Sequence, residues 1–279
     1  MIEAPIRLVL FGLGTAGQAR LRACAAVEEI TCVATVSRRR VPDAVSVESY
    51  RDLLRDPNVD AVAIATENTD HAGRIEEALQ AGKHVLCDYP VALSGRDARR
   101  LFALAESHAL TLWVEHIALL TDAHLEARRR ALELGPLERG SFLFTGGWNA
   151  SLADATRSGP FPIHVESRLV QLWDLFGPFE IAARESRCSP ERAFFAADLV
   201  FAQGGTLRFI EERGPGLPRC RVLEARLAHG PLSWPESEVI GGLFAADLTH
   251  FRDHLLRGTA PYAPPEMLAR VLELLIDDA

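Results

Sequence analysis

The chain has 279 residues, 48% of them hydrophobic and 24% charged, with a formal net charge of −8. That length accommodates two domains of ordinary size or one large α/β domain, around a sizeable core. The acidic balance argues against a nucleic-acid partner, and no apolar run approaches the roughly 18–20 residues that span a bilayer.

The chain opens on Met1-Ile-Glu-Ala-Pro-Ile-Arg7, which leads directly into a strand pattern. No basic region followed by an apolar one precedes it, so no secretory leader and a cytoplasmic location are expected. Ile6–Phe11 is the first strand, followed by Gly12-Leu-Gly-Thr-Ala-Gly17 and a helix from Thr15 to about Val27. Ile30–Val36 is a second strand, and Glu48–Arg55 a short helix ended by Asp56-Pro57. Val59–Ala65, His84–Cys87 and Thr111–Val114 are further strands. Asp70–Ala81 is a helix closed by Gly82, and Ser94-Gly-Arg-Asp97 a capping box opening a helix to about His108. Strands alternating with helices predict a doubly wound parallel sheet, a Rossmann domain over residues 1–117.

The pattern then changes. Ile117–Leu134 reads as one helix ended by Gly135-Pro136. Strand patterns follow at Arg139–Gly146, Glu180–Arg187, Ala193–Ala202, Thr206–Glu212 and Arg221–Leu227. A helix, Val165–Phe176, sits between the first two, and helices at Phe244–Leu256 and Pro265–Asp277 close the chain. Successive strands without crossover helices predict an α+β domain over 118–279, built on a large, mainly antiparallel sheet. The last helix is allowed to pack back on the first domain. The five cysteines (Cys24, Cys32, Cys87, Cys188, Cys220) form no Cys-x-x-Cys pair and are expected to be reduced.

The glycine turn carries the first chemistry. In Gly-x-Gly-x-x-Gly between a strand and a helix, Gly12 makes the tight turn and Gly14 lets the backbone approach a pyrophosphate. Gly17 lets helix and strand pack, and the phosphates sit on the helix N-terminus beside Thr15 and Ala16. An NAD-specific fold has Asp or Glu about 20 residues past the last glycine. Here Ser37-Arg38-Arg39-Arg40 stands there instead. Ser37, Arg38 and Arg39 suit a 2′-phosphate, which favours NADPH as the cofactor, with NADH a weaker alternative; a solvated basic loop is the other reading. Ala65, Thr66, Glu67 and Asn68 follow the third strand and are expected to line the nicotinamide and its ribose, with Asp88 and Tyr89 after the fourth. His71 is expected either there or as a helix-start residue bonded to backbone.

The chain resembles the biliverdin reductase branch of the glucose-fructose oxidoreductase family over nearly its full length. The resemblance rests on the glycine turn, Val36-Ser-Arg-Arg39, Gly82-Lys-His-Val-Leu86 with Tyr89-Pro90, and Glu115-His116 with Leu119-Leu120. Gly140-Ser-Phe-Leu-Phe-Thr145, Phe161-Pro162, Ser167-Arg-Leu169 and Ile210-Glu-Glu-Arg-Gly-Pro-Gly-Leu217 extend it. Most of the larger family has Lys before that Pro, where Tyr89 stands, and a catalytic His with Asp four residues earlier, where Ser167 and Ile163 fall. The lysine and histidine of alcohol oxidation are thus absent.

The resemblance implies a two-domain enzyme in which NADPH reduces biliverdin to bilirubin. Hydride passes to the central methine carbon, and a pyrrole nitrogen is protonated. It places Arg168 beside the bilin, where a guanidinium suits an anionic tetrapyrrole; a surface ion pair is the alternative. Tyr89 is the second catalytic candidate. Glu115, His116, Phe161, Arg219 and Arg221 are candidate substrate contacts, each with a structural alternative. Trp148 and Trp173 join Phe161 as aromatic residues able to flank a flat ligand. No metal is expected, since the tail Met267–Ala279 lacks the His and Cys that hold zinc in mammalian members. The rival readings are a sugar or carbonyl oxidoreductase of the same frame, and a non-catalytic NADP(H)-binding regulator.

Overall fold

The computed structural model describes residues 4–38, 44–46, 49–148, 150–235 and 241–277. It divides into two compact units: 1–117 with 241–266, and 118–240 with 267–279. The division does not follow chain order, because a helix late in the sequence packs on the first helix of the chain.

In the first unit, β1 (Ile6–Phe11), β2 (Ile30–Val36), β3 (Ala61–Ile64), β4 (His84–Asp88) and β5 (Leu112–Glu115) form a parallel sheet in the order β2-β1-β3-β4-β5. Its central strand, β3, is apolar and buried throughout, as a sheet covered on both faces requires. The helices are α1 (Thr15–Cys24), α2 (Tyr50–Arg55), α3 (Asn68–Gln80) and α4 (Gly95–Ser107). The Ser94 hydroxyl accepts from the Asp97 N–H, so the capping box opens α4 as the sequence requires. α1 stops at Cys24, short of the expected Val27.

The expected helix over 117–134 is interrupted. Ile117–Leu120 is a single 3₁₀ turn, and α5 (Asp122–Leu134) starts afresh with Thr121 as its cap, accepting from the His124 N–H. The helix expected over Val165–Phe176 is present from Glu166, with a 3₁₀ turn, Phe161–Val165, leading into it.

The second unit is a six-stranded sheet in the order β11-β10-β6-β9-β8-β7. The strands are β6 (Leu137–Gly146), β7 (Phe179–Cys188), β8 (Ala193–Phe201), β9 (Thr206–Arg213), β10 (Cys220–Leu227) and β11 (Gly230–Ser233). β11 was not foreseen. All neighbours are antiparallel except β6 and β9, which run parallel. β6 alternates cleanly: Phe142 and Phe144 are buried, whereas Ser141 and Leu143 are exposed. Short helices α6 (Ala150–Ala153) and α7 (Ala155–Ser158) precede α8 (Glu166–Phe176). α10 (Pro265–Leu272) ends in a π-helical turn, Glu273–Asp277. Among the described residues no helix is long and apolar enough to cross a membrane.

α9 (Leu243–Arg257) joins the first unit through a buried ionic cluster. Arg20 of α1 is 0% exposed. Its guanidinium donates to Asp247 of α9 at 2.9 Å and to Asp88 at the end of β4 at 2.6 Å. The Phe244 ring lies 5.2 Å from it. Stripping an ion of water costs several kcal/mol, and two carboxylates with an aromatic face offset that cost. Asp247 also accepts from Trp113 Nε1 at 2.9 Å and from the Tyr262 hydroxyl at 2.7 Å.

Glu115 lies beside this cluster and accepts from the Ile117 N–H at 2.8 Å. Burial, reinforced by the charges of Asp88 and Asp247 against that of Arg20, pushes its carboxyl up to about 8. The folded chain therefore holds a proton on Glu115 that the unfolded chain releases at ordinary carboxylate pH. Stability from this group is present below that range and is lost as pH rises toward 8. Glu115→Gln keeps the acceptor and abolishes the titration. We expect the variant's stability relative to the parent to rise from pH 5 to pH 8 and then level off. Parallel pH–stability curves in denaturant would overturn this.

Candidate functional site

In the first unit the glycine turn and the end of β3 meet at the position where strand order reverses, which is where open α/β sheets bind ligands. Gly12 has φ +102°, and a Cβ there would stand 2.2 Å from the Ala65 carbonyl oxygen. A Cβ on Gly17 would stand 1.9 Å from the Gly12 carbonyl. Both glycines are thus required by close backbone packing. Gly14 differs: a Cβ there meets nothing within 4 Å.

Gly14 is also the N-cap of α1, and no side chain caps this helix end. Neither Thr15 nor Ala16 nor Gly17 brings a carboxylate into the first turn. Open space over a glycine, a helix end without a side-chain cap and no local negative charge fit a pyrophosphate.

Arg38 projects beyond β2 with half its side chain exposed. It pairs with Asp70 at 2.8 Å and Glu67 at 3.2 Å. Ser37 is half-buried beside it, while Arg39 lies outside the described residues. Ala65 is buried, and Thr66, Glu67 and Asn68 are half-buried at the start of α3. His71 is buried; Nδ1 donates to the Pro90 carbonyl at 2.7 Å, and Nε2 lies 3.3 Å from the Thr66 carbonyl. The imidazole thus takes the backbone-bonding place that the sequence left open, tying the ends of β3 and β4 together.

Tyr89 follows Asp88 and stacks on His116, with ring centroids 5.1 Å apart and planes 22° apart. Glu115 and His116 are 3% and 0% exposed. Both are buried inside the first unit, and His116 stacks against Tyr89.

The second unit carries a separate cluster. Arg168, in the first turn of α8, donates through Nε and Nη2 to both oxygens of Glu211, each at 2.9 Å. Nη2 also donates to the His164 carbonyl. Glu211 is 0% exposed and accepts from Arg213 Nε at 2.8 Å as well. The expected alternative for Arg168, a surface ion pair, is corrected: the pair is buried and bidentate. Register explains the grouping. Phe144 of β6 lies between Arg221 of β10 and Glu211 of β9, and Arg213, two residues on, falls opposite side-chain-free Gly146.

The guanidinium carbons of Arg213, Arg168 and Arg219 lie 4.5, 5.0 and 5.7 Å from the Phe144 ring centroid. Arg221 lies 4.6 Å over Trp234 instead. Burial, helped by the Arg168 charge, pushes His164 down to about 4, so its ring is neutral at physiological pH. Phe161 is buried and neighbours both Trp148 and His164. Trp173 packs on Phe179 in the core. Among the described residues no group of three His, Cys, Asp or Glu side chains could hold a metal ion.

Sequence reasoning missed Glu211, Arg213, His164 and Phe144. Period-2 spacing in Glu211-Glu-Arg213 was the available signal, since it puts the carboxylate and the guanidinium on one face of a strand.

Residues 6–116 match the model of an oxidoreductase family with an NAD-binding Rossmann fold. The chain is 34% identical to mouse (Mus musculus) biliverdin reductase A over 257 residues, 89% of this chain and 85% of that one. It is 32% identical to the human (Homo sapiens) protein over 263 residues, 91% and 87% of the two chains. Its fold superposes with a TM-score of 0.84 and 26% identity on biliverdin reductase from Synechocystis sp. PCC 6803, whose crystal structure contains biliverdin and NADP⁺, covering 97% and 96% of the two chains. Identity held over nine-tenths of the length, on a dinucleotide turn of this geometry, makes the chain an NAD(P)H-dependent oxidoreductase belonging to that Rossmann-fold oxidoreductase family.

Proposed function

We propose that this protein reduces biliverdin to bilirubin, with NADPH preferred over NADH. The observation that carries the reading is the guanidinium cluster around Phe144, where Arg168, Arg213 and Arg219 converge on one aromatic ring. Such a cluster suits a conjugated, dianionic ligand: the buried ring anchors the guanidiniums, and Arg219, which is exposed, offers donors to a carboxylate. Similarity to the mouse, human and Synechocystis biliverdin reductases supports it. So does Tyr89, standing where a sugar oxidoreductase of this frame has lysine.

The Gly14 turn would hold the dinucleotide, whose chemistry there would be hydride donation to the central methine carbon. Arg168 would stabilise the negative charge left on the conjugated system. It is the wrong group to release a proton, since a guanidinium keeps its own and both donors are already on Glu211. Solvent is the better source for the pyrrole nitrogen, with Tyr89 shaping the nicotinamide side. Arg38 would meet the 2′-phosphate by exchanging Asp70 and Glu67 for a dianion.

Purified protein with biliverdin should lose the red-absorbing band and gain a blue-absorbing one on adding NADPH. Arg168→Lys should slow this about 100-fold while NADPH binding is retained, since a point charge replaces a two-pronged donor. An unchanged spectrum despite demonstrated NADPH binding would turn the reading toward another substrate or a regulator.

Gly14→Ala should melt where the parent does yet bind NADPH at least about tenfold more weakly. Gly12→Ala should lower the melting temperature itself, because its Cβ meets the Ala65 carbonyl. Normal NADPH affinity in Gly14→Ala would remove the pyrophosphate from this turn. Arg38→Ala combined with Arg39→Ala should weaken NADPH by about tenfold more than NADH; equal losses would sink the 2′-phosphate assignment.

A further inference from the structure

The function proposed above leaves the cluster around Asp247 unused. Nothing in a Rossmann sheet demands a fully buried Arg with two carboxylates, and an apolar replacement of similar volume is often as stable. The partners of Asp247 share a feature that stability alone does not explain: they lead to the ends of β4 and β5. Through Arg20, Asp247 is tied to Asp88, the residue before Tyr89. Through the Tyr262 hydroxyl it is tied to the N–H of His116, which donates to that oxygen at 3.0 Å. Asp88 and Glu115 are register partners on neighbouring strands. The residues that follow them, Tyr89 and His116, are the two stacked rings.

We propose that Asp247 is a positioning residue: acting through Arg20 and Tyr262, it fixes the ends of β4 and β5 so that Tyr89 and His116 are held as one stacked pair. The consequence for reaction rests on the reading of Tyr89 as the residue beside the nicotinamide. The consequence for geometry does not. The hydrogen bonds bear on two points, one on each strand. A stacked pair of rings needs both, because sliding either strand end alters the overlap. Asp247 is suited to the task because Oδ2 serves Arg20 while Oδ1 serves Trp113 and Tyr262. The carboxylate is thus held from three sides.

The test reads the rings first. In the parent with ¹³C-labelled histidine, stacking on Tyr89 should shift the His116 ring protons upfield. Tyr89→Leu assigns that signal by abolishing the shift. Asp247→Asn keeps an acceptor for Trp113 and Tyr262 but removes the charge facing Arg20. Tyr262→Phe removes only the hydroxyl bridge, and serves if the first variant does not fold. In whichever variant is folded, well below its melting temperature, the His116 signal should move toward its place in Tyr89→Leu. With the acceptor that the parent reduces, kcat should fall roughly tenfold while KM for NADPH stays within about twofold.

A folded variant with lower thermal stability and an unmoved His116 signal would overturn the proposal, leaving Asp247 as scaffold alone. So would a parent signal indifferent to Tyr89→Leu. Failure of biliverdin turnover in the parent would count against the proposed function and leave the ring measurement standing.

Discussion

The first unit depends on one buried guanidinium. Arg20 comes from the second turn of α1, the helix that the glycine turn opens, and its two carboxylates come from the end of β4 and from α9. One side chain therefore joins the helix with the phosphate-binding geometry, the strand that leads to Tyr89, and a helix more than 200 residues away. The energetic balance is narrow. Three carboxyl groups, Asp88, Asp247 and Glu115, surround one cation, and burial does not tolerate the surplus charge. Glu115 resolves it by keeping its proton. The cluster is then one cation with two anions, with hydrogen bonds from Trp113 and Tyr262 absorbing the remaining charge on Asp247.

The second unit applies the opposite ratio. Around Phe144 several guanidiniums share one buried carboxylate, Glu211, which accepts from both Arg168 and Arg213. Where the first unit buries excess acid and neutralises it by protonation, arginines cannot shed their charge, since a guanidinium keeps its proton across the physiological range. An arginine cluster held against an aromatic ring suits an anion, and the proposed function assigns it that part. Burial, and after it the charge of Arg168, keeps His164 neutral in this cluster.

Much of this was legible in the sequence, for identifiable reasons. Short-range rules sufficed where the cause was local. Pro57 ended α2, Gly82 followed α3, Ser94 capped α4, and the glycine turn announced its own geometry. They failed where the cause lay elsewhere in the chain. Thr121 broke the expected helix over 117–134 because its side chain caps the N–H of His124, a choice that apolar spacing alone does not reveal. The parallel pairing of β6 with β9 escaped because two strands and three helices intervene, so nothing local records their direction. β11 is four residues long, too short for its pattern to stand out.

The same division applies to the sites. Gly12, Gly14 and Gly17 each have a local cause, and their spacing was informative by itself. Arg168 was singled out by resemblance, yet its partner Glu211 lay unremarked inside a quoted motif. Asp247 gave no sequence signal at all, because its meaning comes wholly from contacts with Arg20, Trp113 and Tyr262. Residues that touch a ligand recur in short motifs because the ligand imposes their spacing. Residues that hold those motifs in place answer to the packing of distant elements, and only the folded chain brings them together. On the reading proposed above, Tyr89 belongs to the first kind and Asp247 to the second. A replacement of one is therefore interpretable only when the other is known to be in place.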